Sequence, residues 1–563
     1  MSEEKARSKL PVLDAAQHQA QAQPQHDVAL TDDAPHDKFK PTCKVLGIFG
    51  VLILVSFFSA LDASILATSL PTITREIGGQ GVYVWIANSY LFAATVLQPL
   101  YGQLANVFGR RNPFFASLAL FVLGSGLAGG SQNVTTLIAA RVIQGLGSGG
   151  IYVLPEIIMC DVVPPRHRGP YLSALLSTSA VATTVGPIIG GALAQSNWRW
   201  VFYINLPTVG VAIVAMALLL RVKYQRSLTW RVALSRIDFL GNAIFVPSIV
   251  AIFFALITGG NVGMGFAWNS FRVIVPLVLG ILGWIAFHVY QASPVCKEPT
   301  VPPRLFRHRT SIVGFIMIFL ASSFTQALSF FLPIYFQAVK GSTPLLSGVR
   351  YLPFTIALIL LAGAAAGFLS KTGRYRPVHW AGWVLSAVGA GLLSTLQENS
   401  RAGSWISFQI ITAAGVGFIF TVSLPSTLAA LDDADVAVAT ATYAFLRTFG
   451  TVWGVTISSI AFNNQVNTHL NSITDASFRG LLANGAAYTY ASGLGDGSNR
   501  IDDLPEPTKS QVIHVYVLAT RVVWLVFAGI SVVGFLSTFL EKHIDLKKEH
   551  TTEFGLEEHN SSK

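Results

Sequence analysis

The sequence predicts an all-α polytopic membrane protein with 14 transmembrane helices. Of its 563 residues, 52% are hydrophobic and only 12% are charged, whereas about 25% of the residues of a soluble protein are charged. The apolar residues are gathered into runs such as 45–61, 113–128 and 522–539. Because about 20 apolar residues cross a bilayer core as a helix, about fourteen such helices would use roughly half of the chain.

The predicted spans end at Gly, Pro and charged residues. They are assigned to 45–67, 82–103, 113–130, 135–156, 170–194, 199–220, 237–258, 271–291, 311–336, 346–370, 378–396, 404–430, 437–461 and 512–539. The segment 1–44 is rich in Gln, Ala, Asp and His without helical periodicity, so it is predicted to be a disordered tail. A second tail covers 541–563, and the longest external loop covers 463–510.

The distribution of positive charge predicts the orientation of these spans. If the amino terminus is cytoplasmic, most of the 38 Lys and Arg residues lie in cytoplasmic segments, as the positive-inside rule requires. Both termini are therefore predicted to be cytoplasmic, with the plasma membrane as the location and the vacuolar membrane as the alternative. The net charge of +10 does not predict nucleic-acid binding, since no basic stripe lies on a soluble domain.

Two similar segments predict an internal repeat. Gly102–Pro113 follows the second span, and Gly367–Pro377 follows the tenth with one residue fewer between its glycines. Transporters commonly build two halves from such repeats around a cavity at the membrane midplane. The sequence therefore predicts an amino-terminal six-helix half at 45–220, a linker with two inserted helices at 221–310, and a carboxy-terminal six-helix half at 311–540.

Several motifs in a fixed order resemble the signature set of the major facilitator superfamily. They are the segment Gly102–Pro113, Arg141–Gly145 and Gly186–Gly191, and the resemblance narrows at Leu61–Ala67 and Trp198–Pro207 to the fourteen-span drug:proton antiporters of fungi. It implies the major facilitator fold and export of organic molecules coupled to proton entry. It also implies roles in gating and helix packing for Gly102, Asn106, Gly109, Arg110, Arg111, Gly186, Pro187, Gly190 and Gly191.

Asp62 and Arg141 are the predicted centre of proton coupling. An unpaired charge inside a bilayer costs at least ~2.5 kcal/mol, and the two residues lie at matching depths in the first and fourth spans. A contact that forms and breaks would switch Asp62 between proton-holding and proton-releasing states; the alternative is a static ion pair. The resemblance associates both positions with proton coupling, and Glu156 is a candidate to relay the proton inward.

The predicted substrate cavity starts from a polar stripe on the fourth span. At 100° per residue, Ser148, Tyr152 and Glu156 share one side of the helix with Arg141, and Gln144 widens the stripe. Other spans add Asn88, Gln326 and Tyr335. Arg447 lies near mid-membrane without a certain acidic partner, and three roles stay open: contact with carbonyls, with an anionic substrate group, or with Asp432, Asp433 or Asp435 in a gate.

The inner gate departs from the superfamily pattern at one position. Asn106 stands where that pattern usually has Asp, and an amide cannot make the stronger charge-assisted hydrogen bond. A more loosely held gate is therefore expected. Arg110 and Arg111 serve either this gate or only the positive-inside bias.

Enzymatic function is not predicted. Gly145–Gly150 satisfies the dinucleotide pattern G-x-G-x-x-G, but it lies inside a predicted membrane helix, where close packing is the better explanation. No nucleotide-hydrolysis or metalloprotease motif is present, and neither a cofactor nor a metal is expected. The predicted function is proton-coupled export of small amphiphilic compounds (drugs, toxins or secondary metabolites) by a protein whose partners are its substrate, protons and the lipid bilayer. A monomer is preferred, and the alternatives are a nutrient, siderophore or vacuolar amino-acid transporter and a nontransporting receptor.

Overall fold

Helices account for the described chain almost completely. The structure, a computed structural model, describes residues 41–77, 83–220, 230–260, 266–491, 501–544 and 546. The helices are α1 Cys43–Ile77, α2 Tyr83–Val96, α3 Gln98–Phe108, α4 Arg111–Gly129, α5 Val134–Val162, α6 Arg168–Ser196, α7 Trp200–Tyr203, α8 Asn205–Leu219, α9 Trp230–Ser235, α10 Phe239–Thr258, α11 Phe271–Gln291, α12 Arg309–Ala338, α13 Pro344–Thr372, α14 Arg376–Leu393, α15 Ala402–Ala429, α16 Val436–His469, α17 Ala476–Leu482, α18 Ala486–Ala491 and α19 Thr508–Ser537.

Each predicted span coincides with a helix or a pair of consecutive helices, but the count of fourteen spans is not confirmed. Within the described residues, ten helical segments are long and apolar enough to cross a membrane. The other predicted spans correspond to α2 with α3, α6, α14 and α16. The second span is split at Leu97, because Pro99 lies in the first turn of α3 and lacks a backbone N–H. Helices α6 and α16 contain many Ser, Thr and Gly residues, which lower their hydropathy.

The two halves repeat the same helix pairings. In the amino-terminal half, α1 packs on α6, α4 on α5, and α2 on α5. In the carboxy-terminal half, the corresponding pairs are α12 with α16, α14 with α15, and α13 with α15. The halves meet reciprocally, since α3 packs on α16 and α13 packs on α6.

Both repeat segments place a glycine with positive φ after a helix at one end of the molecule, which we call the motif end. Gly109 follows α3 with φ of 76°, and Gly373 follows α13 with φ of 67°, values that glycine adopts without a steric penalty. Only Gly373 has the left-handed helical conformation. The two segments differ in packing. A Cβ atom at Gly102 would overlap Ala441 on α16, whereas Gly367 has open space beside it.

The inserted helices α10 and α11 pack on one another and along the junction of the two halves. On α10, Phe253 stacks on Phe92 of α2 at 5.3 Å and on Phe449 of α16 at 5.6 Å. At the motif end, the Gln103 amide donates to the backbone carbonyls of Arg236 and Glu298, at 3.2 and 2.8 Å. These two carbonyls flank the inserted pair, so Gln103 links it to α3.

The two tails and the predicted external loop are described only in part. Residues 1–40, 545 and 547–563 of the predicted tails lie outside the described residues, as do 492–500 of the predicted external loop. The described part of that loop contains the last turns of α16 followed by α17 and α18. Asp475 caps α17 by accepting from the backbone N–H groups of Ser477 and Phe478.

Candidate functional site: two ion pairs and a central cavity

A buried hydrogen-bond network surrounds Asp62 inside the amino-terminal half. Arg141 Nη1 donates to Asp62 Oδ2 at 2.5 Å, and both side chains are almost fully buried. Asp62 Oδ1 also accepts from Gln144 Nε2 at 2.8 Å and from Asn205 Nδ2 at 2.7 Å, and Gln144 further donates to Ser125 Oγ at 2.8 Å. The network joins α1, α4, α5 and α8, so the carboxylate is compensated by a cation and by two amides.

An aromatic ring and a hydroxyl cluster cover the guanidinium of Arg141. The Cζ atom of Arg141 lies 4.2 Å from the centroid of the Tyr90 ring, a distance that allows a cation–π interaction. The Tyr90 hydroxyl contacts Ser148 Oγ at 2.5 Å, and Ser148 Oγ contacts Ser59 Oγ at 2.7 Å. The polar stripe predicted on α5 therefore faces α1 and α2 at these positions.

A second ion pair joins the two halves. Arg447 Nη1 on α16 donates to Glu156 Oε1 on α5 at 2.5 Å. Glu156 Oε2 is buried and has no hydrogen-bond partner among the described residues. Sequence reasoning did not find this pair: it grouped Glu156 with Asp62 and gave Arg447 no certain partner, because 291 residues separate the two positions.

A cavity of about 290 Å³ lies between the halves. Residues of α2, α5 and α6 line one side, and residues of α12, α13, α15 and α16 line the other. Half of the described lining residues are Ser or Thr, and Leu91, Leu176, Leu358 and Phe420 add apolar surface. Its size is near the lower limit for small-molecule sites, and its walls suit an amphiphilic organic compound.

The structure divides the predicted cavity residues into two sets. Tyr152 and Arg447 line the cavity. The described lining residues do not include Asn88, Gln144, Ser148, Gln326 or Tyr335. Asn88 and Gln326 are half-buried on α2 and α12. Tyr335 is fully buried at the opposite end of α12 from the motif end, where its hydroxyl donates to the Gln397 carbonyl at 2.9 Å.

The predicted gate residues lie at the motif end. Arg110 is buried and donates to Asp161 Oδ2 at 2.6 Å and to the Ala105 carbonyl at 2.9 Å. Asn106 accepts from Arg110 at 3.3 Å and donates across the junction to the Ala434 carbonyl at 3.4 Å. Both distances from Asn106 are long for hydrogen bonds. Arg111 instead reaches the Ala217 carbonyl on α8 at 3.4 Å.

A bidentate ion pair next to this gate also escaped sequence reasoning. Arg304, between α11 and α12, donates to both carboxylate oxygens of Asp435 at 2.7 to 2.9 Å. This hydrogen bonding raises the pKa of Arg304 above its ordinary value, so the guanidinium stays charged. Asp435 precedes α16, and the pair therefore fixes the segment after the inserted helices to the carboxy-terminal half.

The glycine-containing motif on α6 packs against α1. A Cβ atom at Gly186 would overlap the side chain of Ser64, which itself donates to the Thr183 carbonyl at 2.8 Å. Pro187, Gly190 and Gly191 follow in the same helix. In the equivalent place on α16, Gly450 and Gly454 would overlap backbone carbonyls of α12 if they carried a Cβ atom. Small residues thus allow the matching close contact in both halves.

Two halves with repeated helix pairings enclose a cavity, an architecture that is common among membrane transporters. The sequence model of the Major Facilitator Superfamily matches residues 52–455, and the chain belongs to this family. It is accordingly a membrane transporter and not an enzyme. No cluster of three or more His, Cys, Asp or Glu residues suited to a metal ion occurs in the part of the chain that the structure describes.

Curated relatives and solved structures agree with this assignment. The MFS efflux transporter aclA of Aspergillus oryzae is 45% identical over 91% of both chains. The Acurin A biosynthesis cluster MFS-type transporter of Aspergillus aculeatus is 41% identical over 91% of both chains. The crystal structure of the human organic anion transporter MFSD10 aligns with a TM-score of 0.55 at 14% identity, covering 88% of this chain and all 100% of that one. At this identity the structural likeness concerns the fold alone.

Proposed function

We propose that this protein is a proton-coupled exporter of small amphiphilic organic compounds, secondary metabolites in particular, and that it works by alternating access between its two halves. The efflux and biosynthetic-cluster names of its relatives support the direction of transport and the substrate class. The cavity supports alternating access, because both halves contribute to its walls.

The observation that carries the proton coupling is the buried Asp62–Arg141 pair. A protonated carboxyl loses its charge and with it the charge-assisted part of its bond to Arg141. Proton uptake would thus weaken the contact between α1 and α5. Gln144 and Asn205 could still donate hydrogen bonds to the neutral carboxyl group of Asp62. One proton moving through ~100 mV supplies ~2.3 kcal/mol, which corresponds to more than a tenfold substrate gradient at ~1.4 kcal/mol per factor of ten.

The membrane arrangement is part of the proposal. We place fourteen spans in the plasma membrane with both termini in the cytoplasm and the motif end on the cytoplasmic side, and we take the monomer as the transporting unit. The positive charges of the motif segments, among them Arg110, Arg111 and Lys371, support this orientation.

The test is gradient-driven transport by the purified protein in liposomes. With an imposed pH gradient, the wild type should accumulate at least one member of a panel of fluorescent amphiphiles against its concentration gradient. Asp62→Asn should lose this uphill movement, because an amide cannot take up and release the proton. Asp475→Asn is the matched control and should behave as the wild type, since Asn also caps α17.

Two results would contradict the proposal. One is uphill movement by Asp62→Asn at every pH tried, and the other is wild-type transport that ignores the pH gradient. Gene deletion distinguishes export from import, because loss of an exporter increases intracellular retention of its compound, whereas loss of an importer decreases nutrient uptake.

A further inference from the structure

We infer that the central cavity selects compounds that carry an acidic group, and that Arg447 binds this group at the position where Glu156 now accepts its hydrogen bond. The inference rests on the proposed function, which it deepens by naming a substrate class and the residue that recognises it. Its basis is the geometry of the cross-half ion pair.

Arg447 is the charged group that the cavity presents to a substrate. Among the described residues that line the cavity, no other carries a formal charge. The exposed fractions of the two side chains support this asymmetry, since Arg447 is 13% exposed and Glu156 only 6%. A molecule in the cavity therefore meets the guanidinium, while the carboxylate lies behind it.

Glu156 accepts a hydrogen bond from only one of the N–H-bearing nitrogens of the Arg447 guanidinium. In the described part of the chain, Arg447 donates to that carboxylate through Nη1 alone, whereas Arg304 makes three hydrogen bonds to Asp435. A guanidinium offers five N–H donors in a fork that matches a carboxylate. Arg447 therefore retains donors for an acidic group that enters from the cavity.

The surroundings of Arg447 favour an acid over other ligands. Thr448 and Thr451 line the cavity on the same helix, and their hydroxyls donate to backbone carbonyls of α16. Arg447 is therefore the group beside them that can offer an acid charge-assisted hydrogen bonds. A neutral amide would gain only ordinary hydrogen bonds, and these are about half as strong as charge-assisted bonds. A cation would be repelled by Arg447 before it reached the less exposed Glu156.

Substrate binding would also act on the junction between the halves. The Glu156–Arg447 pair connects α5 with α16, and a substrate carboxylate would compete with Glu156 for Nη1. Binding of an acid would therefore loosen a contact that joins the halves, whereas a neutral compound of the same shape would leave the contact intact.

The experiment compares an acid with its matched amide. Binding of radiolabelled 1-naphthaleneacetate and 1-naphthaleneacetamide is measured on the purified full-length protein in detergent. The wild type should bind the acid about tenfold more tightly, the factor that one charge-assisted contact commonly supplies. Arg447→Gln should abolish the preference, and Arg447→Lys should keep part of it, because Lys retains the charge without the fork.

Glu156→Gln distinguishes recognition of the acid from a purely structural role of the Glu156–Arg447 pair. Removing the competing charge should tighten acid binding at least threefold and leave amide binding unchanged. Arg272→Gln is the control, since Arg272 is an exposed arginine at the start of α11 that packs on Phe266. It should keep the wild-type preference.

Equal affinity for the two compounds in the wild type, failure of both to bind, or an acid preference that survives Arg447→Gln in a monodisperse sample would overturn the inference. This assay needs no gradient, so its outcome is independent of the liposome experiment. Gradient-driven export that depends on Asp62 without an acid preference would leave the proposed function standing and remove only the inference.

Discussion

The two ion pairs on α5 have the same N–O distance of 2.5 Å but different surroundings. Asp62 accepts from Arg141, Gln144 and Asn205, all within one half. Glu156 accepts one hydrogen bond across the junction, and its second oxygen has no described partner. The comparison shows that the N–O distance alone does not determine how much an ion pair contributes to stability. Additional hydrogen-bond donors and the exclusion of water also determine that contribution.

The largest expected effect is a difference in stability between two matched substitutions. Arg141→Gln should reduce the free energy of unfolding by about 3–5 kcal/mol, because it leaves a buried carboxylate without its cation. Arg447→Gln should cost about 2 kcal/mol or less, because Glu156 lies next to the cavity, where water or a proton can compensate it once the charged hydrogen bond is lost. Denaturant unfolding of the purified proteins in one detergent measures both. Equal losses would show that burial of the Asp62 pair within one half does not raise the cost of removing its cation.

An intermediate effect should separate the junction from the interior of one half. Gly102→Val would place side-chain atoms against Ala441, and such overpacking costs about 1–3 kcal/mol. Because α3 and α16 would move apart, the Glu156–Arg447 contact should weaken, and acid binding should then depend less on Glu156. The Asp62 network, which lies within one half, should be unchanged. The repeat supplies the control: Gly367→Val has open space and should cost less than about 0.5 kcal/mol. Similar losses at both glycines would contradict the packing difference.

The smallest effect concerns the gate residue that departs from the superfamily pattern. Asn106→Asp would gain a charge-assisted contact with Arg110 but lose the donor to the Ala434 carbonyl. Arg110 is already paired with Asp161, so the net change in unfolding free energy should stay below about 1 kcal/mol. The same denaturant series measures it. A gain of several kcal/mol would mean that Asn106 leaves the motif end much more loosely held than its contacts indicate.

Helix positions and the first ion pair could be predicted from the sequence because both depend on local information. Apolar runs locate the helices, and the depths of Asp62 and Arg141 follow from residue counts along single helices.

Contacts between distant segments could not be predicted, because they depend on tertiary packing and not on local sequence. Glu156 and Arg447 lie in different halves, and their meeting depends on how those halves pack. Asn205 stands in one of the quoted motifs, but nothing in its spacing shows that it reaches Asp62. The helical period correctly placed polar residues on one side of α5, but it did not show that they face different neighbours. Ser148 faces α1 and α2, whereas Tyr152 lines the cavity.

The inserted helices make the two junctions between the halves unequal. Phe253 of α10 stacks on rings of both α2 and α16, so aromatic side chains of the inserted pair cover this junction of the halves. On the opposite flank, α6 and α13 meet directly. The pseudo-symmetry of the repeats therefore does not extend to the way in which these two junctions are covered.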